Sequence, residues 1–371
     1  MSASIARTTA IAALLLLVCA VGCAPRHRSS WDPGVAAAYL DRREAWWAHW
    51  PAAARDGGTF CISCHTALPY ALARPILQDQ LNQRSPTAEE LGVLKDVSRR
   101  VEMWTTIQPY YHNKASASRG TEAVLNAVIL ANRDARQGHL RPDTEAALRN
   151  MWALQEKSGP DTGSWAWLQF NNEPWEAHDS RFYGAVLAAL AVALAPDDYR
   201  SRPEIGASLG QLRDYLVRTE AAQSPINQVM LLWVSSRLPD WLGSDRKQSL
   251  TQELWRRQRR DGGWSLAQLV GAWKRKDGTA LVIGSDGYAT GLAVLALERC
   301  GVSPDDPRLR RALAWLGANQ EWDGHWAAYS LNKRRIQKLD DAAEFMDDAA
   351  TAYAVLGLAG ASVGSGVPGS G

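Results

Sequence analysis

Two kinds of helical segment alternate along this chain, and the alternation limits what it can fold into more than any other feature. One kind is Ala-rich and almost wholly apolar, at 64–77, 121–131, 182–194, 227–238, 286–297 and 347–358. A helix that is apolar all round is buried on all sides. The other kind is amphipathic and charged, near 34–50, 87–104, 143–157, 204–219, 246–260 and 306–320. A charged segment precedes each apolar one, which gives six helical hairpins. β-branched runs with period-2 alternation are nearly absent, so the class is all-α with little sheet. Stacked hairpins can form an open solenoid. Six apolar and six amphipathic helices point instead to closure, with the apolar six inside. Two apolar segments, Asp286-Gly-Tyr-Ala-Thr-Gly-Leu and Asp347-Asp-Ala-Ala-Thr-Ala-Tyr, begin alike. Each opens on Asp, which suits a helix N-terminus.

Trp is over-used, with 17 against 10 Tyr and 4 Phe, and several Trp sit in a repeated loop pattern. The stretch from Arg311 through Gln320-Glu-Trp-Asp-Gly324-His-Trp326 matches the QW motif of squalene and oxidosqualene cyclases at every defined position. Leu254, Gln258, Gly262 and Trp264 form a second copy, with Glu253 in the aromatic position. Gln155 with Gly163-Ser-Trp165 is a third, Asp56–Phe60 an eroded one, and Tyr215-Leu216 a vestige. In such a loop Gln bonds open backbone groups at a helix end, Trp stacks on it, and Gly permits the turn.

From about Val35 to Leu358 the chain therefore resembles the terpene cyclase and prenyltransferase superfamily, in particular the squalene-hopene-cyclase-like α/α toroids. The resemblance implies one (α/α)6 toroid of six helical hairpins over residues 34–359. In that family the rim where the inner helices begin carries the chemistry. The family's acid motif, Asp-x-Asp-Asp-Thr-Ala, aligns with Phe345-Met346-Asp347-Asp348-Ala349-Ala350. Two Asp match, but the leading Asp is Phe345 and the Thr is Ala349. Protonating an alkene needs a strongly activated acid in a dry site. Asp347, Asp348 and Asp286 are the catalytic candidates, with helix capping as their other reading. Glu122 and Asn227 are further rim residues. Trp167, Trp175, Tyr183, Trp233 and Tyr288 are candidates to line a cavity, where indole faces stabilise a cation or pack a polyprenyl chain; otherwise they serve packing alone.

The cysteines mark a second chemistry. Cys61-Ile-Ser-Cys64-His65 is C-x-x-C-H, which resembles bacterial cytochrome c attachment sites. The resemblance implies haem c, with thioethers from Cys61 and Cys64 and His65 on the iron. His178, His112 and Met346 are candidates for a second axial ligand. A Cys61–Cys64 disulfide and a zinc site are the alternatives, zinc being held by Asp, Cys and His in the toroidal protein prenyltransferases. No Asp-x-Cys partner pattern accompanies these cysteines. Cys300 reads as an inert buried thiol. His49 and His139 read as surface positions and His325 as part of its QW loop.

A short apolar run, 10–22, ends in Ala20-Val21-Gly22-Cys23. This resembles the lipobox of bacterial lipoproteins. It implies a signal peptide over 1–22, lipid on Cys23, a tether over 23–33, and a membrane partner reached through the anchor. The tail 360–371 is Gly/Ser-rich and expected to be disordered. The location that follows is the bacterial cell envelope, facing the periplasm or exterior, where thiols oxidise. With 41 basic and 39 acidic residues, net charge is +2 and no basic stripe is present, which excludes a nucleic-acid partner. The expectation is an exported toroid with a covalent haem, a redox partner and a hydrophobic small-molecule substrate. A non-catalytic terpenoid or lipid binder and a terpene cyclase or mutase are the competing readings.

Overall fold

The computed structural model describes residues 31–364 apart from 197, 239, 337–339 and 341. The signal segment, Cys23, most of the tether and residues 365–371 lie outside the described residues. Thirteen helices are present among those described. Six are the charged segments: α1 (Pro33–His49), α3 (Ala88–Glu102), α5 (Pro142–Ala153), α7 (Gly206–Thr219), α9 (Ser244–Arg256) and α12 (Pro307–Ala318). Six are the apolar ones: α2 (Ala67–Gln80), α4 (Ala115–Gln137), α6 (Ser180–Leu194), α8 (Pro225–Ser235), α11 (Gly287–Arg299) and α13 (Phe345–Gly364). The thirteenth, α10, is the single turn Leu266–Leu269. The sheet is one two-residue hairpin, β1 (Ala54–Arg55) with β2 (Thr59–Phe60). The chain is all-α, as the hydrophobic patterning requires.

The apolar helices pack in series. α2 meets α4, α4 meets α6, α6 meets α8, α8 meets α11, α11 meets α13, and α13 meets α2. The contacts thus return to their starting helix. α1 lies against α2 and α13, and α3, α5, α7, α9 and α12 each lie against the apolar helix that precedes them, α2, α4, α6, α8 and α11. The tightest approach is between α11 and α13. A Cβ at Gly291 would stand 2.4 Å from the Ala354 amide nitrogen. Gly291→Ala should therefore lower stability by about 1–3 kcal/mol through overpacking. A denaturation midpoint unchanged from wild type would show that the two backbones are further apart.

The QW turns tie consecutive hairpins together. Trp165, Trp264 and Trp326 are wholly buried. Their indole N–H groups donate to Met151 O, Leu254 O and Leu316 O at 2.6, 2.8 and 2.8 Å. Those carbonyls lie in the last turns of α5, α9 and α12, and each also accepts the backbone amide three residues on, from Leu154, Arg257 and Asn319. The glutamines face the other way along the chain. Gln155, Gln258 and Gln320 donate to Ser208 O, Arg308 O and Asp32 O, at the starts of α7, α12 and α1. Gly163, Gly262 and Gly324 sit at φ of 98°, 98° and 101°. A side chain there would also strike Gln211 O, Arg311 O or Val35 O on that next helix.

Two boundaries differ from expectation. The Trp31 ring is tilted against Trp326, with 5.9 Å between centroids, and Asp32 caps α1 while its own N–H donates to Gln320. Trp31 and Asp32 are thus held against the last QW turn. At the other end α13 runs to Gly364. Nothing in 360–364 breaks a helix, since the next proline is Pro368.

Candidate functional site

Cys61 to Thr66 lead from β2 into α2, which starts at Ala67 rather than at Cys64. Ser63 Oγ accepts the amides of Thr66 and Ala67, both at 3.1 Å, and so starts the helix. The Trp47 indole donates to Cys61 O at 2.7 Å, and Ile62 N donates to the Tyr110 hydroxyl at 3.3 Å. This backbone anchoring turns both sulfurs inward. Cys61 and Cys64 are buried and both thiols are free, so the disulfide alternative is not realised. Burial pushes the Cys61 thiol up to about 12 and Cys64 well above the usual thiol range, with Glu176 adding to both. Such thiols stay protonated and are poor nucleophiles in the folded protein. Cys300 is only partly buried and donates to Leu232 O at 3.3 Å.

His65 lies among rings. It stacks on Phe345 at 3.8 Å, meets the edge of Trp47 at 4.8 Å, and lies 5.9 Å from Trp175. Burial and the Arg43 charge push its pKa down to about 3, so the imidazole is neutral. Its Nδ1 is 2.8 Å from Thr66 Oγ1, and that hydroxyl donates onward to Asp348 Oδ2 at 2.7 Å. The Thr66 proton is therefore spent on Asp348, and His65 Nδ1 must be the donor to Thr66. This assignment of the tautomer follows from the hydrogen-bond chain. It leaves Nε2 as the ring nitrogen with a lone pair.

Asp348 is the anchor of this chain. It is 1% exposed and accepts from Arg43 Nε at 2.7 Å, Arg43 Nη2 at 3.2 Å and Tyr39 OH at 3.0 Å. Burial pushes its carboxyl up, against the pull of Arg43, Thr66 and Tyr39. Its neighbour Asp347 accepts the Ala328 amide at 2.8 Å. Asp286 accepts the Ala289 and Leu266 amides at 2.8 and 2.6 Å. Of the three carboxylates singled out by sequence, Asp348 alone joins the His65 network; Asp286 caps α11, and Asp347 holds a loop.

The other candidates scatter. Glu122 is wholly buried and paired with Arg100, Nε to Oε1 at 2.5 Å. Asn227 donates to Asp179 Oδ2 at 3.0 Å. His112 is exposed in the short turn His112–Lys114. Met346 is buried and adjoins Phe345 in sequence. His178 is exposed. Among the described residues, the side chains that converge at metal-binding spacing are Glu173, His178 and Asp179, with ligand atoms all within 4.8 Å of one another. Cys61, Cys64 and His65 are not among them.

All five aromatic candidates belong to one continuous cluster. Trp167 donates to Trp175 O at 2.9 Å and meets Tyr183 edge-on. Trp175 donates to the Tyr288 hydroxyl at 3.3 Å, and the rings lie 5.9 Å apart. Tyr288 lies 4.9 Å from Tyr353, which lies 6.4 Å from Trp233. A row of rings thus runs from His65 through Trp175, Tyr288 and Tyr353 to Trp233. Trp233, the fifth candidate, lines a cavity of about 290 Å³ with Leu72, Ala135, Leu190, Leu295 and Leu356. Each of the six apolar helices supplies one of these side chains. Arg136, Arg237 and Arg299 also line it.

Sequence reasoning missed Arg43, Tyr39, Thr66, Phe345 as a ring partner, and Glu173. Tyr39 and Arg43 are four apart on α1 and share a helix face, but only the fold brings Asp348 to them. No protein-family model matches the chain, and no curated protein matches it in sequence. Among the described residues no helix is long and apolar enough to cross a membrane.

Proposed function

We propose that the chain is an exported, lipid-anchored (α/α)6 toroid of the bacterial cell envelope that holds a c-type haem on Cys61 and Cys64, with His65 on the iron, and exchanges electrons with a redox partner near an apolar molecule. The observation that carries this reading is His65: a neutral imidazole beside two thiols three residues apart, its Nδ1 fixed by Thr66 and Asp348 and its Nε2 unprotonated. The residue types match those of a c-type haem site, where an axial His is commonly oriented by a hydrogen bond to its other nitrogen. When bound, the haem supplies one-electron chemistry. The protein's own part is to orient His65 through Asp348 and to exclude water with Trp47, Trp175 and Phe345. The return of the apolar helices to α2, and the repeated Gln-Gly-Trp turns, support the toroid.

The test is a pyridine-haemochrome spectrum of the full chain made with haem-maturation machinery. The expected result is a c-type band that stays with the denatured polypeptide and is lost in a Cys61→Ser, Cys64→Ser variant. Absence of covalent haem, with both thiols still titratable, overturns the reading.

A second reading, a terpenoid or lipid binder without catalysis, is favoured by the cavity that all six apolar helices line. Its apolar wall and its arginines suit an amphipathic molecule with an acidic head. Lipid co-purifying with wild type and absent from Leu295→Trp supports it; equal lipid in both removes it. The cyclase reading lacks its acid. Position 345 is Phe, and Asp348 is held as the acceptor of Arg43, Thr66 and Tyr39.

A further inference from the structure

We propose that Glu173, His178 and Asp179 form a binding site for a divalent transition-metal ion at the start of α6. The three side chains offer one imidazole nitrogen and two carboxylates, with ligand atoms all within 4.8 Å of one another. Convergence of acids alone would say little. Here, however, Glu173 is 2% exposed and its Oε2 has no hydrogen-bond partner. Asp179 Oδ1 is likewise buried and unpartnered. Buried polar atoms are normally satisfied, and an unpaired carboxylate oxygen is costly. A cation seated between these oxygens satisfies both at once.

The surroundings hold the donors in place. Asp179 Oδ2 is fixed by Ser224 Oγ at 2.8 Å and Asn227 Nδ2 at 3.0 Å, from the beginning of α8. The Glu173 backbone is clasped by Asn332, whose Oδ1 accepts its N–H at 2.9 Å and whose Nδ2 donates to its carbonyl at 2.7 Å. Such outer partners orient metal ligands and are part of a working site. A mixed imidazole–carboxylate set suits Zn(II), Mn(II) or Fe(II) rather than Ca(II). Three protein donors leave at least one position for water or an oxyanion, and exposed His178 puts it on the solvent side. A filled site would join the loop before α6 to α8 and would occupy His178, so that residue would not serve the haem iron.

The site is independent of the cysteines, which makes its test separable from that of the haem. Chelator-treated full-length protein is dialysed against Zn(II), and in parallel Mn(II), and bound metal is measured. Wild type and the Cys61→Ser, Cys64→Ser variant should each hold one ion per chain. Glu173→Gln and His178→Ala should bind at least tenfold more weakly. His178→Ala changes an exposed side chain, so it keeps the test valid should Glu173→Gln fail to fold. Metal should also raise the melting temperature of wild type and not of His178→Ala. The proposal is overturned if wild type takes up neither ion, if His178→Ala binds as wild type does, or if binding is lost with the cysteines.

Discussion

Asp348→Ala should lower the unfolding free energy by about 3–5 kcal/mol, the range seen when one partner is removed from a buried ion pair. Four hydrogen bonds converge on this carboxylate from α1 and from the turn before α2. Its removal leaves the 7%-exposed Arg43 with the half-exposed Glu344, at 2.8 Å, as its remaining ion-pair partner. Thr66 loses its acceptor, and His65 loses the arrangement that fixes its tautomer. At roughly 2–4 °C per kcal/mol for a chain of this size, the melting temperature should fall by on the order of 10 °C. Asp347→Ala, which forfeits the bond to Ala328 N, serves as the comparison from the same helical turn. Equal and small losses in the two variants would mean that Asp348 is an ordinary helix-terminal acid.

The second large effect is on pH dependence, through buried carboxyls that keep their protons. Glu44 is 1% exposed, and both its oxygens lack partners. Burial, together with the charges of Asp348, Asp96 and Glu89, pushes it well above the usual range. Burial pushes Asp96 up to about 7, against Phe60 N and Arg100, and Glu298 also to about 7. In the unfolded chain these groups ionise near pH 4. The folded state thus binds more protons than the unfolded one between about pH 4 and pH 7, and stability falls as pH rises. Asp96 alone corresponds to roughly 4 kcal/mol across that window at about 1.4 kcal/mol per pKa unit. Asp143, pulled down by Arg133, acts in the opposite sense and only below about pH 4. Denaturation midpoints should therefore be higher at pH 5 than at pH 8. Glu44→Gln should narrow that gap by stabilising the protein at pH 8 and changing little at pH 5. A flat profile, or a Glu44→Gln gain that is larger at pH 5, would contradict this account.

The helical architecture was legible because it rests on local pattern. An apolar circumference announces burial whatever the partner is, so the six apolar helices could be read segment by segment. The QW turns were legible in part. The bonding role of Gln was foreseeable from chemistry, whereas its target, the first turn of the next charged helix, depends on three-dimensional succession. The site was less legible for the same reason. Cys61, Cys64 and His65 stand out by spacing, but the residue that orients His65 is 282 positions from Thr66 and had been marked for its acidity. His178 was read as a ligand partner for His65 because it precedes Asp179; the missing third member, Glu173, is a lone acid in a loop, and nothing local distinguishes it. Helix α2 begins three residues late because Ser63 Oγ, which accepts the amides of Thr66 and Ala67, supplies the start.

The bond from Thr66 to Asp348 also sets an order of events. A chain made from its N-terminus delivers Cys61 to His65 long before α13 exists. Until that last helix arrives, His65 has neither Phe345 nor the Asp348 relay, and α2 lacks one of its two apolar neighbours. Contacts of such sequence separation form late in folding. The nascent protein therefore passes through a stage in which His65 lacks the cover of that helix. Docking of the C-terminal helix ends that stage, so timing rather than sequence separates an open His65 from a sealed one.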